Sequence, residues 1–224
     1  MQTVFTIKAS SYVRDLLAKL TAVTRLRSKL GTKDWLLFLF KALVLYRILH
    51  KIFRFDEWHL LGTYELRAYK KEVVKIVNQL YPHVVVEIGC GLGEIISRIE
   101  AEQKIGVDTD KGVLRAARCL NWRKHVLFFD GSFDAIKTLP FSRIDSLIMI
   151  NWLHTVPEKR IKMEVKRLLQ HMKIRYVVVD EILNEVKGYK YHHTFGTSLG
   201  DMFAERKKVE DPEGIRRLVV LESY

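Results

Sequence analysis

A run of β-branched residues, Val84-Val85-Val86-Glu87-Ile88, passes directly into Gly89-Cys90-Gly91-Leu92-Gly93. Such a run reads as a strand buried on both faces, and glycines at alternate positions permit positive φ and a close approach of backbone to a ligand. A helix is expected over Glu94–Ala101, presenting its N-terminal N–H groups to that ligand. Strand and helix then alternate. Strands are expected at His83–Ile88, Lys104–Asp108, His125–Asp130, Ile144–Ile150 and Arg175–Asp180, with helices at Tyr64–Leu80, Lys111–Leu120 and Glu158–Met172. Phe203–Val209 and Ile215–Glu222 flank the turn Asp211-Pro212-Glu213-Gly214 and read as an antiparallel hairpin. The fold class is therefore α/β. A doubly wound, mostly parallel seven-stranded sheet closes with that hairpin and is preceded by an N-terminal helical segment.

The glycine spacing discriminates between ligands. A dinucleotide fingerprint reads G-x-G-x-x-G/A, but here the third glycine comes one residue early and Glu94 holds the dinucleotide position. A carboxylate where a pyrophosphate would sit disfavours NAD and favours a nucleoside ligand without phosphate. S-adenosylmethionine (SAM), an adenosine joined to a sulfonium amino acid, meets that requirement. Asp108 closes the second strand, where its carboxylate can accept from both ribose hydroxyls, and Asp130 closes the third, where it can accept from the adenine amine.

Glu87-Ile88-Gly89-Cys90-Gly91-Leu92-Gly93 resembles the first motif of the class I SAM-dependent methyltransferases, and Asp108 and Asp130 match that family's ribose and adenine-side acids. The resemblance covers residues 64–224. It implies SAM as cofactor, bound by Glu87, Gly89, Gly91, Gly93, Asp108, Asp130 and Asn151, the last at the end of the fourth strand facing the sulfonium. It divides the chain into a basic amphipathic extension, 1–60, and a methyltransferase domain, 61–224.

In-line methyl transfer requires alignment of the acceptor and, for a hydroxyl acceptor, a base. His154, in Asn151-Trp152-Leu153-His154-Thr155, is the candidate, and Trp152-Leu153-His154 resembles the segment of plant small-molecule O-methyltransferases that carries a catalytic histidine. Asp180 and Glu181 can orient His154 or bind substrate. Asn151 with Asp180 could instead hold Mg²⁺, but two ligands do not make a site, so no metal is expected. Tyr191, His192 and His193, with Tyr189, are candidate acceptor contacts, and Trp58, His59 and Tyr64 a candidate lid. No Asn/Asp-Pro-Pro-aromatic segment follows the fourth strand and no Pro-Cys pair occurs. Methylation at an oxygen of a small molecule or a glycan is therefore the leading reading. An RNA methyltransferase and a non-catalytic SAM-binding scaffold or membrane adaptor are the alternatives.

The net charge of +12 is unevenly placed: residues 1–55 hold eleven Lys/Arg against Asp15 and Asp34. A concentrated basic segment seeks an anionic partner, phospholipid or nucleic acid. Val13, Leu16, Leu17, Leu20, Val23 and Leu30 recur at helical spacing over 11–30, and a second helix is expected over Trp35–Phe53 with Asp34 as N-cap. That helix carries an apolar stripe through Phe38, Ala42, Leu45, Leu49 and Phe53, with Arg47, His50 and Lys51 together on one side. Its basic residues disfavour a bilayer span, which leaves a cap on the α/β domain, an interfacial membrane anchor or a nucleic-acid contact. Two cysteines and no signal-peptide pattern favour a cytoplasmic protein, peripheral on the inner membrane face in the anchor reading.

Overall fold

A computed structural model describes residues 27–28, 31–183 and 186–224. The expected helix at 11–30 therefore lies outside the described residues, apart from 27–28, which are helical.

Seven strands form one sheet: β1 (Val84–Ile88), β2 (Gln103–Asp108), β3 (Val126–Asp130), β4 (Arg143–Met149), β5 (Lys173–Ile182), β6 (Phe203–Glu210) and β7 (Arg216–Ser223). Their order is β3-β2-β1-β4-β5-β7-β6. The first five run parallel, and β7 pairs antiparallel with both β5 and β6. Strand order reverses between β1 and β4, and the crevice beyond their carboxyl ends is where open α/β sheets bind ligands.

Alternate strand residues feed two cores. On one face Val85, Ile148, Val178 and Val220 meet α3 (Ala68–Asn78) and α4 (Lys111–Leu120). On the other, Val86, Leu147, Val177 and Val219 meet α5 (Phe133–Lys137), α6 (Glu158–Leu169) and α7 (Phe195–Ser198). Asp110 starts α4 by accepting from the N–H groups of Gly112 at 2.7 Å and Val113 at 3.1 Å. These two bonds satisfy donors that the first turn of a helix leaves unpaired.

The N-terminal helix is α1 (Thr32–Phe40), a wider π turn over Lys41–Leu45, and α2 (Tyr46–Phe53). Gly31, not Asp34, occupies the N-cap; Asp34 sits in the first turn and pairs with Lys71 at 2.8 Å. Tyr46, Leu49 and Phe55 belong to the same core as Val73 and Val85, so this segment is a cap continuous with the α/β domain. No helix among the described residues is long and apolar enough to cross a membrane.

One expected helix is largely missing. Residues 91–95 form turns, and only Ile96–Arg98 make a 3₁₀ turn. Glu87 takes the N–H of Ile96 at 2.9 Å, and the chain is already extended at Ile99 to reach β2. The helix dipole expected at the glycine loop is therefore not part of the site.

Candidate active site

The loop after β1 satisfies its donors internally. Gly89 and Cys90 donate to the Val107 carbonyl at 2.8 and 3.1 Å, Gly93 donates to Cys90 at 2.9 Å, and Gly91 donates to the Asp108 carboxylate at 2.8 Å. These N–H groups, the ones that would cradle a phosphate, are already taken. Gly89, Gly91 and Gly93 all have positive φ. Their lack of a side chain also makes room for the protein itself. A Cβ on Gly89 would overlap the Trp152 ring, one on Gly93 would lie 2.8 Å from Phe128, and one on Gly91 would lie 3.0 Å from the His59 ring.

Beyond this loop lies a cavity of about 370 Å³ at the β1/β4 crevice. Glu87, Gly89, Gly91, Asp108 and Asn151 line it, together with Trp58 and His59 from the cap. The Asp108 carboxylate is held by two backbone donors, Gly91 at 2.8 Å and Asp110 at 3.0 Å, which fixes its orientation at the end of β2. Trp152 donates from its indole to the Ile88 carbonyl at 2.7 Å and forms a wall. Burial pushes the Glu87 carboxyl up to about 8, against the opposing pull of the Ile96 N–H and Lys70. Burial likewise holds His59 below the usual imidazole range, so that it is neutral at pH 7 despite Asp108 beside it.

The cap is tied to the same cavity. Glu94 stands in the cavity wall and accepts from the Tyr46 hydroxyl and from Lys70 at 2.8 Å. Lys41 pairs with Glu65 at 2.6 Å, and Arg98 lies 3.8 Å from the same carboxylate. The carboxylate at the dinucleotide position thus fastens the cap to the domain.

Other expected site residues are placed differently. Asp130 is in register with Asp108, but its carboxylate pairs with Lys111 at 3.1 Å, and Gly131 and Ser132 line the cavity in its place. Asp180 accepts from the Asn151 N–H at 2.9 Å and from Arg216 at 2.6 Å, and Arg216 also donates to the Asn151 side chain at 3.1 Å. A buried guanidinium therefore takes the position a Mg²⁺ ion would need between Asn151 and Asp180, and Asp180 serves the Asn151 loop instead of His154. Arg216 further stacks on Tyr69, 4.1 Å from the ring centroid. This clamp holds Asn151 in a left-handed conformation that a non-glycine residue seldom adopts. Glu181 accepts from the Phe195 N–H at 2.6 Å and serves the start of α7.

His154 lies on the 3₁₀ turn Leu153–Thr155, half-buried, with its ring 4.7 Å from Tyr189 and its Nδ1 buried without a hydrogen-bond partner among the described residues. Burial lowers its pKa. Its neighbour Thr155 reaches the cavity wall, and His154 is set back from it. Tyr191 stacks with His193, His193 bonds the Leu153 carbonyl at 2.9 Å, and His192 contacts the Ile182 carbonyl at 3.3 Å. Tyr191, through its N–H to the His154 carbonyl, and His193 brace the turn after β4, His192 meets the end of β5, and none of the three lines the cavity. Tyr64 lies under Arg98, 4.0 Å from its ring centroid, away from the cavity that Trp58 and His59 cover.

Asp56, Arg67, Tyr69, Lys70 and Asp110 also line the cavity and carry no motif. Of these only Asp110 has a local signal, as the acid immediately before the helical Lys111–Leu120 pattern.

Residues 86–173 match the model of a methyltransferase domain. Over those residues the chain carries a region similar to a methyltransferase domain. No curated protein matches it. Among solved structures, magnesium protoporphyrin IX methyltransferase (ChlM) from Synechocystis PCC 6803, with bound SAH, aligns at TM-score 0.58 and 14% identity. That alignment covers 83% of this chain and 97% of the other. The N-methyltransferase NodS from Bradyrhizobium japonicum WM9, in complex with S-adenosyl-L-homocysteine, aligns at 0.62 and 13%, covering 80% and 97%. Likeness at this identity carries the fold. The cavity also suits SAM chemically: Asp108, held by Gly91, faces it as an acceptor matched to ribose hydroxyls, and the loop N–H groups of Gly89, Cys90, Gly91 and Gly93 are already bonded within the protein.

Proposed function

We propose that this methyltransferase moves the methyl group of SAM to an oxygen of a small-molecule or glycan acceptor, with His154 as the base. The observation that carries the reading is the His154 Nδ1, buried and without a hydrogen-bond partner among the described residues, one residue from the cavity wall at the carboxyl end of β4. Bound SAM supplies an electrophilic methyl on a sulfonium. The chain's residues do the rest. Asp108, its orientation fixed by Gly91 and Asp110, accepts from the ribose hydroxyls. Trp152 and Trp58 restrict water. Asn151, held by Arg216 and Asp180, sets the acceptor side of the crevice. His154, kept neutral by burial, would take the hydroxyl proton on its imidazole as the acceptor oxygen bonds to the methyl carbon and the carbon–sulfur bond breaks, releasing the neutral thioether.

The test is calorimetry with SAM on wild type, Asp108→Asn and His154→Gln, followed by methyl-transfer assays on a panel of hydroxyl acceptors. Asp108→Asn loses most of its SAM affinity. His154→Gln keeps that affinity and loses turnover, and the wild-type rate falls on the acid side with a midpoint below about 6.5, the ordinary imidazole value. Well-folded wild type that does not bind SAM sinks the cofactor reading, whereas full turnover by His154→Gln removes the base.

A further inference from the structure

The cap has two apolar faces, and among the described residues only one is covered. Trp35, Phe38, Ala42, Tyr46 and Leu49 are buried against the domain. The opposite face presents Leu36, Leu37, Phe40, Leu43, Val44, Ile48 and Ile52 to solvent, with Leu36 60%, Leu43 53% and Ile52 62% exposed. They recur at i, i+4, i+7/8, i+12 and i+16 along α1, the π turn and α2, so they form one stripe. Arg47 and Lys51 are the charged residues within it. Asp34 is turned to Lys71, and Asp56 and Glu57 come only after α2 has ended.

We infer that this face docks on an anionic phospholipid surface. An apolar stripe that contains Arg47 and Lys51, whose long side chains can reach headgroups, and no carboxylate fits the boundary between acyl chains and anionic headgroups. Charge decides against the other occupants. A second copy related by a two-fold axis would set Arg47 and Lys51 against their own kind. The chain's own residues 8–29 carry Lys8, Arg14, Lys19, Arg25, Arg27 and Lys29 against Asp15 alone, so covering the stripe with them would also bring like charges together. The same basic segment beside a membrane adds to the attraction.

Flotation of the full chain with vesicles of phosphatidylglycerol and phosphatidylcholine, beside vesicles of phosphatidylcholine alone, tests this. Wild type floats with the anionic vesicles, and less so as salt is raised. The double variant Leu43→Asp/Ile48→Asp loses about ten-fold or more in partitioning, and Arg47→Ala/Lys51→Ala loses about five-fold per charge. SAM calorimetry on each variant shows an unchanged cofactor site, which keeps this test separate from the methyltransferase reading. Wild type left unbound, binding unmoved by Leu43→Asp/Ile48→Asp, or a stable dimer in light scattering that these substitutions dissolve would each overturn the proposal.

Discussion

The cap helix and α6 are both amphipathic in position but not in chemistry. Helix α6 buries Ile161, Val165 and Leu168 and exposes Lys159, Arg160, Lys166 and Arg167, with Met163 alone among them. The cap buries one apolar stripe and exposes another. On α6, hydropathy alone says which side faces the protein. On the cap it cannot, and the inner side is fixed by polar tethers: Tyr46 to Glu94, Lys41 to Glu65, Asp34 to Lys71 and His50 to the Phe55 carbonyl. A doubly apolar helix is oriented by its hydrogen bonds, and these bonds run to the residues that line the cavity and their neighbours.

The strongest way to break that comparison is Tyr46→Ala. Tyr46 is fully buried. Loss of such an aromatic costs about 3–5 kcal/mol and leaves Glu94 short of a donor. Leu168→Ala in α6 costs about 2–5 kcal/mol by the same cavity mechanism. Denaturant unfolding measures both. Calorimetry then separates them: SAM affinity drops in Tyr46→Ala and stays level in Leu168→Ala. Equal affinities would mean that the cap and the cavity are independent.

Glu94→Gln sharpens the electrostatic side. Glu94 forms a buried ion pair with Lys70. Breaking such a pair on one side costs about 3 kcal/mol, because the lysine keeps a charge it can no longer pair. Burial by itself would raise the Glu94 carboxyl, but Lys70, the Tyr46 hydroxyl and Lys41 outweigh it and hold it below the ordinary range. A depressed carboxylate contributes stability that is complete above its unfolded pKa, about 4.3, and is lost as pH falls through the folded value. The stability gap between wild type and Glu94→Gln therefore narrows in acid. Glu164 of α6 pairs with Arg167 at the surface. Glu164→Gln changes stability by less than about 1 kcal/mol at any pH.

The contrast also marks where the sequence is legible. All seven strands, α4 and the hairpin follow from apolar runs and turn residues, and Asp108 and the glycine loop follow from spacing. The helix over Glu94–Ala101 does not form where the Glu87 side chain, reaching across the glycine loop, takes the N–H of Ile96 and the chain turns extended at Ile99. Asp180 looks free in the sequence because its partner Arg216 lies on β7, 36 residues away in the chain. Arg67, Tyr69 and Lys70 reach the cavity only because α3 is packed beside β1, a tertiary fact with no local pattern. Where partners are local the sequence suffices, and where a site is assembled across the sheet it does not.

Gly112→Ala probes how closely the cap is seated. In an isolated helix the change would gain about 1 kcal/mol. Here a Cβ would run into the Phe53 carbonyl oxygen and lie 3.3 Å from the Phe55 N, both backbone atoms that cannot rotate away. The net effect is a loss of about 1–3 kcal/mol, read in denaturant melts, with SAM affinity lowered as the cap shifts. A stabilised variant would show that the end of α2 is free to move off α4.

The smallest effect in water separates the two helices most cleanly. Met163→Asp on α6 and Leu43→Asp on the cap both replace an exposed apolar residue. Each changes stability by about 0.5 kcal/mol or less. Folding is indifferent to both, since neither side chain leaves water when the chain folds. With anionic vesicles present the pair diverges: thermal melts of wild type and Met163→Asp shift with lipid, and Leu43→Asp does not, because a ligand stabilises only the folded state that binds it. If Leu43→Asp shifted as wild type does, the outer stripe would be a surface of the same kind as α6's, and its apolar residues would need another account.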